Sequence, residues 1–292
     1  MPTLDLTTHT LTYERRGHGP PLLLLGGSGE PMLAWEMCGL VDALISDGWS
    51  VIWYAARGVQ PSGCPPLPWT LSSMADDALE LLDHLEVDHC AAIGYSLGGF
   101  TLEELARAHP DRIDAAILMG SAGAPGGRVR EGFIQAENLF ARDHGQIPPH
   151  FTRLMTLMTA LGGPELTDAD SINTWWELLS AQQDQWAEPH GEIGQAQVAQ
   201  DWLHTGCTTN APWPPEVPVG LVCFEHDALF PPQEIPALTH HLGHECPVRI
   251  VPRTGHAGLI SQPQLTTQAL IDILQEIAQK AEARTCESRH LA

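Results

Sequence analysis

Ser96 lies between glycines two positions before and two after it, in Ala91-Ala92-Ile93-Gly94-Tyr95-Ser96-Leu97-Gly98-Gly99-Phe100. An abrupt strand-to-helix turn needs small residues at that spacing, so that two backbones pass closely while one side chain is held outward. A serine presented in this way becomes a nucleophile once a base can take its proton and a third group orients the base. His256, in Thr254-Gly255-His256-Ala257-Gly258, supplies the base, and Glu225-His226-Asp227 supplies carboxylates. Each of these loops directly follows an apolar run. The order along the chain is Ser96, Asp227, His256, with Glu225 and Asp201 as competing acids.

Such loops must be brought together by the elements that carry them. Residues 3–16 alternate around Thr and Leu, the period-two pattern of antiparallel edge strands. Leu22 to Leu25 form an unbroken apolar strand of the kind buried on both faces, and it runs into Gly26-Gly27-Ser28-Gly29. Helical spacing of Met37, Leu40, Val41, Leu44 and Ile45 predicts one helix over Leu33 to Asp47, stopped by Gly48. A strand over Ser50 to Tyr54 follows, then Arg57-Gly58, a proline-rich loop, and a helix ending near Leu85. Cys90 to Gly94 feed the serine turn; a helix runs on to about His109, and Ala115 to Met119 make a further strand that closes at Gly120-Ser121-Ala122-Gly123.

This alternation of strand and helix predicts a mostly parallel, doubly wound α/β sheet covered on both faces. It lapses between about Gly126 and Pro215, where four helices are expected: Val129 to Arg142, Phe151 to Leu161, Ser171 to Gln183 and Ile193 to His204. It resumes with strands at Val217 to Phe224 and Val248 to Val251, a helix near Gln233 to Leu242, and a last helix from Pro263 to about Ala283 before a polar tail. The organisation expected is therefore a core of residues 1–126 and 213–292 with an insertion of 127–212.

The bulk composition bounds the partners. With 36 acidic against 14 basic residues, a formal charge of −22 repels phosphate backbones and anionic membrane surfaces, so neither nucleic acid nor membrane is an expected partner. Seven scattered cysteines with no C-x-x-C pair imply neither a disulfide framework nor a thiolate metal site, and fit a cytoplasmic protein. The first residues lack a basic stretch followed by an apolar one, and no apolar run approaches the ~20 residues of a membrane span. A single lysine, Lys280, beside frequent alanine and leucine fits a bacterial source. His240, His241 and His244 lie on one helical stretch without a supporting carboxylate or cysteine set, and are read as solvated rather than as a metal site.

Taken together, G-Y-S-L-G-G at 94–99, the glycine-rich loop after the first apolar strand, Arg57-Gly58, and the late loops of Asp227 and His256 resemble the α/β-hydrolases with a helical cap. Within that family the likeness is to bacterial serine hydrolases such as esterases, lipase-like and cofactor-free haloperoxidase-like enzymes. The resemblance covers nearly all of residues 3–283. It implies Ser96 as nucleophile, His256 as base and Asp227 as the acid, because the family's acid follows its strand by a few residues, here just before Ala228-Leu229-Phe230-Pro231. It also implies backbone amides of Ser28 and Leu97 as oxyanion donors, and no metal or organic cofactor. Two positions depart from the family pattern: Gly26 stands where a histidine is usual, and Ala55 where an acid usually precedes Arg-Gly.

A serine rather than an acid at the turn argues against dehalogenase or epoxide-hydrolase chemistry and favours acyl transfer. The expectation is hydrolysis of a carboxylic ester or related acyl bond of a small hydrophobic molecule. The insertion is expected over the carboxyl end of the sheet, with Gly27, Tyr95, Trp175 and Trp176 contacting substrate. The alternatives are a non-hydrolytic lyase, cyclase or carbon–carbon cleaving reaction on the same scaffold, and a catalytically silent binding protein.

Overall fold

The computed structural model describes the chain except residues 122–126, 144–146, 182–184, 208–211, 244–245 and 291–292, and gives the backbone alone for 281–290. Eight strands form one sheet: β1 (Thr3–Asp5), β2 (Thr10–Arg16), β3 (Pro21–Leu25), β4 (Ser50–Tyr54), β5 (Cys90–Tyr95), β6 (Ile113–Met119), β7 (Val219–Phe224) and β8 (Val248–Val251), in the order β1-β2-β4-β3-β5-β6-β7-β8. β1 and β2 pair antiparallel at one edge, and every pairing from β4 to β8 is parallel.

The helices are α1 (Leu33–Met37), α2 (Leu40–Ser46), α3 (Leu71–His84), α4 (Leu97–Ala108), α5 (Arg128–Arg142), α6 (Pro149–Ala160), α7 (Gly163–Leu166), α8 (Ala169–Ala181), α9 (Pro189–Thr205), α10 (Ile235–Leu242), α11 (Gly258–Ser261) and α12 (Pro263–His290). The consecutive leucines of β3 show why the run has to be apolar throughout. Leu23 and Leu25 enter the core under α3, α4 and α10, while Leu22 and Leu24 enter the opposite core under α2 and α12. Successive side chains of a strand point to opposite faces, and here both faces are covered.

Three expectations are corrected. The single helix over 33–47 is two, because Gly39 takes a left-handed φ of 75° and turns the chain between Met37 and Leu40. The last helix runs to His290 instead of ending near Ala283, there being no Gly or Pro after Pro263 to stop it. Short helices α7 and α11 are additional to those expected. Ala122, Gly123, Gln183 and His244 lie outside the described residues. The four helices expected in the insertion are α5, α6, α8 and α9. Among the described residues no helix is long and apolar enough to cross a membrane.

The topology fixes where a site can form. From β3 the chain passes through α1 and α2 on one face to β4, then crosses beyond β3 to β5, whose helix α4 lies on the other face. The loops after β3 and β5 therefore diverge, opening a crevice at their carboxyl ends, the usual ligand position in such sheets.

Candidate active site

Ser96 sits at the end of β5 with φ 51° and ψ −117°, one of three non-glycine residues in the described chain with positive φ. A conformation of this kind costs on the order of 1–3 kcal/mol and persists only where the surroundings enforce it. The glycines around it show how they do. A Cβ on Gly94 would stand 2.4 Å from the Gly98 carbonyl oxygen, one on Gly98 would stand 2.1 Å from that of Leu25, and one on Gly99 would stand 2.3 Å from Ser121 Oγ. Ser121 in turn donates its hydroxyl to the Ser96 carbonyl at 3.0 Å, and the Ser96 amide donates to the Met119 carbonyl at 3.1 Å.

The three predicted side chains meet although they lie far apart in sequence. Ser96 Oγ is 3.0 Å from His256 Nε2, and His256 Nδ1 is 2.8 Å from Asp227 Oδ2. An ionised carboxylate only accepts, so Nδ1 carries the proton and Nε2 is left to accept from the serine hydroxyl. Asp227 is 2% exposed, and its Oδ1 accepts the amides of Leu229 at 2.8 Å and Phe230 at 3.0 Å. The rival acids are placed elsewhere. Glu225 is exposed and accepts the Arg253 amide at 2.8 Å, and Asp201 is an exposed residue of α9 that accepts from Gln197.

The imidazole is also held by its neighbours. Tyr95 stacks on it with ring centres 5.3 Å apart and donates its hydroxyl to the His256 carbonyl at 2.9 Å, and Phe230 packs against it at 5.4 Å. Burial pushes the Tyr95 phenol well above its ordinary range, so it remains a donor. The insertion grips the chain on both sides of His256. Glu165 Oε2 accepts the amides of Gly162 at 2.7 Å and Gly255 at 3.0 Å, while the Ala257 amide donates to the Ala160 carbonyl at 2.8 Å.

The loop after β3 reaches the same point. A Cβ on Gly27 would be 3.4 Å from Ser96 Cβ and 3.3 Å from the Tyr95 ring, so Gly27 lies directly against the serine. Its amide donates to Glu30 Oε2 at 2.7 Å, and that of Gly29 donates to Gln195 Oε1 at 2.9 Å. Among the described residues the amides of Ser28 and Leu97 have no acceptor. Burial pushes the Glu30 carboxyl up to about 7, opposed by its bond from Gly27 and by nearby His256. Glu137 on α5 is pushed to about 7 in the same way, with Glu192 adding to the rise and His256 opposing it.

Where the sequence departs from the family pattern, other residues act. Beside Gly26 the loop is braced by Glu30, and Arg57 finds its carboxylate on Asp77, with Nε–Oδ2 at 2.8 Å and Nη2–Oδ1 at 2.7 Å. Trp175 and Trp176 lie on α8, none of whose residues is buried, and Trp176 is 36% exposed. Trp202 of the insertion is buried and stacks on Phe100, which in turn packs against Phe230. His241 of the histidine stretch is engaged with Glu103 at 2.8 Å. Glu30, Glu165, Gln195 and Phe230 were not among the expected site residues; only Phe230, in the apolar stretch just after Asp227, had a local signal.

Residues 20–159 match the model of a family described as the alpha/beta hydrolase fold. BpoC of Mycobacterium tuberculosis, a protein carrying a non-heme bromoperoxidase name, is 23% identical over 91% of this chain and 98% of its own length. Its crystal structure gives a TM-score of 0.79 over 91% of this chain and 96% of that one. A thermophilic esterase from Thermogutta terrifontis gives a TM-score of 0.76 at 22% identity, covering 95% and 99% of the two chains. 3-Oxoadipate enol-lactonase 2 of Acinetobacter baylyi is 30% identical over 122 residues, 41% of this chain and 45% of the lactonase.

Proposed function

We propose that this chain, which belongs to the α/β-hydrolase fold family, hydrolyses a carboxylic ester or related acyl bond of a small hydrophobic molecule through an acyl-enzyme on Ser96. The observation that carries this reading is the continuous relay Ser96 Oγ, His256 Nε2, His256 Nδ1, Asp227 Oδ2, with contacts of 3.0 and 2.8 Å. His256 takes the serine proton as Oγ attacks the carbonyl carbon, then gives it to the leaving alkoxide. Asp227 does not take the proton; it fixes the tautomer and stabilises the imidazolium. The open amides of Ser28 and Leu97 receive the negative charge that develops on the carbonyl oxygen, and loss of one side-chain donor to such an oxyanion costs about 10²–10³ in rate in comparable sites. Deacylation repeats the steps with water as nucleophile.

The esterase and lactonase names among its relatives support hydrolysis. The apolar rings of Phe230 and Tyr95 beside His256 support a substrate with apolar character, and no metal or organic cofactor is required by the relay. Incubation with a fluorophosphonate tests the reading. One label should add to the wild type and none to Ser96→Ala, with ester turnover lost in the same variant. An unlabelled wild type that still turns over esters would contradict the covalent mechanism.

A further inference from the structure

The loop after β3 offers three successive amides. That of Gly27 is taken by Glu30 at 2.7 Å, that of Gly29 is taken by Gln195 at 2.9 Å, and that of Ser28 between them stays open. We infer that Gln195, a residue of the inserted helix α9, is a positioning residue for the oxyanion site: with Glu30 it fixes the peptide on either side of Ser28, so that seating of the insertion sets the direction of the Ser28 amide. The inference rests on the reading of Ser96 and Ser28 given above.

Three observations set Gln195 apart from a glutamine that only fills space. It is wholly buried, so both ends of its amide must be satisfied within the protein. Both are: Oε1 accepts from Gly29, and Nε2 donates to the Arg57 carbonyl at 3.0 Å. Arg57 is itself immobilised by two bonds to Asp77 and one to Ser73 Oγ. The glutamine thus spans from a fixed point of the core, the loop after β4, to the loop after β3. Its orientation is imposed by these partners, since only the carbonyl end can accept from Gly29 and only the amino end can donate to Arg57.

The second feature is the backbone at Gly29. Its φ is +64°, and a Cβ there would stand 2.9 Å from the Trp186 ring. Trp186 belongs to the insertion and makes an isolated bridge to Val59, two residues from Arg57. The loop is therefore shaped from outside by insertion residues at the same peptide that Gln195 binds. A free loop of this composition, Gly26-Gly27-Ser28-Gly29, has wide conformational freedom, and an amide that must point at a developing oxyanion cannot be left to it.

The role differs from substrate binding in what it should change. An oxyanion donor acts on the transition state more than on the ground state, so its misplacement lowers kcat and leaves KM nearly unchanged. Misplacement by about 1 Å can cost about 10²-fold, and removing Gln195's acceptor should lower kcat by about 10- to 100-fold on that scale.

The test compares wild type, Gln195→Leu, Gln195→Glu, Glu30→Ala and Ser96→Ala on one p-nitrophenyl ester, with kcat, KM and melting temperature for each. Gln195→Leu should lose kcat with KM unchanged, Gln195→Glu should retain more of the rate because a carboxyl oxygen can still accept from Gly29, and Glu30→Ala should show the same kcat-only loss from the other side of Ser28. Should Gln195→Leu not fold, the Gln195→Glu and Glu30→Ala results decide. An unchanged kcat in the folded variants, or a loss confined to KM, overturns the inference while leaving Ser96 in place. An active Ser96→Ala would instead count against the underlying reading, and a change of rate at Gln195 would then have no oxyanion to act on, which overturns the inference too.

Discussion

Alanine at Gly98 would place a methyl group 2.1 Å from the Leu25 carbonyl oxygen and 2.6 Å from that of Gly26, where ordinary contact begins at 3.4 Å. Both opposing atoms are backbone, so no side chain can rotate away. Relief requires the first turn of α4 to part from the end of β3 by more than 1 Å, and these are the two segments that carry the Leu97 and Ser28 amides. Overpacking of this kind costs about 1–3 kcal/mol of stability, and a displacement near 1 Å at a reacting centre about 10²-fold in rate. Gly132 provides the contrast. It lies in α5 with nothing within 4 Å of its Cβ position, so Gly132→Ala should stabilise by about 0.5–1 kcal/mol through helix propensity and leave the rate alone. The assay is the second-order rate of fluorophosphonate labelling beside the urea midpoint of each variant. Labelling of Gly98→Ala at the wild-type rate would refute the claim that the close passage of α4 and β3 sets the site.

Further outcomes follow from the same geometry. Asp227→Asn should fold and lose turnover by a factor on the order of 10⁴, whereas Glu225→Gln, altering an exposed residue bound to the Arg253 amide, should lose far less; steady-state kinetics of the pair checks the assignment. Glu165→Ala removes the acceptor of the Gly255 amide next to His256, and should lower kcat more than Glu165→Gln, which keeps an acceptor oxygen. Glu30 has its pKa raised from 4.5 to about 7 in the folded protein, so the folded state holds that proton more tightly than the unfolded chain, and stability falls as pH rises from about 4.5 to about 7. Glu30→Gln removes this loss while keeping an acceptor for Gly27. Its melting temperature should therefore gain on wild type more at pH 8 than at pH 5, and an equal difference at both would contradict the burial of that charge.

Much of this was legible in the sequence because it is written locally. The leucine run of β3, the glycines around Ser96, and the loops directly after β7 and β8 each signal through neighbours in the chain. Their meeting follows from topology, since parallel strands place all those loops at one edge of the sheet. What could not be read was the network between them. Gln195 is one of several glutamines in its stretch, and nothing local distinguishes it; its partners are 166 and 138 residues away. Glu165 bonds the amide of Gly162, three residues before it, a spacing common in helix caps, yet its second bond crosses to Gly255. The tryptophans are a different case. Trp175 and Trp176 stood out by type, but the side of α8 they occupy depends on how α6 and α7 pack against that helix, which periodicity does not reveal.

A covalent acyl intermediate on Ser96 can be trapped by rapid mixing with an activated ester, followed by acid quench and peptide mass analysis. A burst of alcohol release equal to the enzyme concentration and a mass increment of one acyl group on the peptide containing Ser96 are expected, both absent in Ser96→Ala. Steady turnover with no burst, or an increment on any other residue, would contradict it.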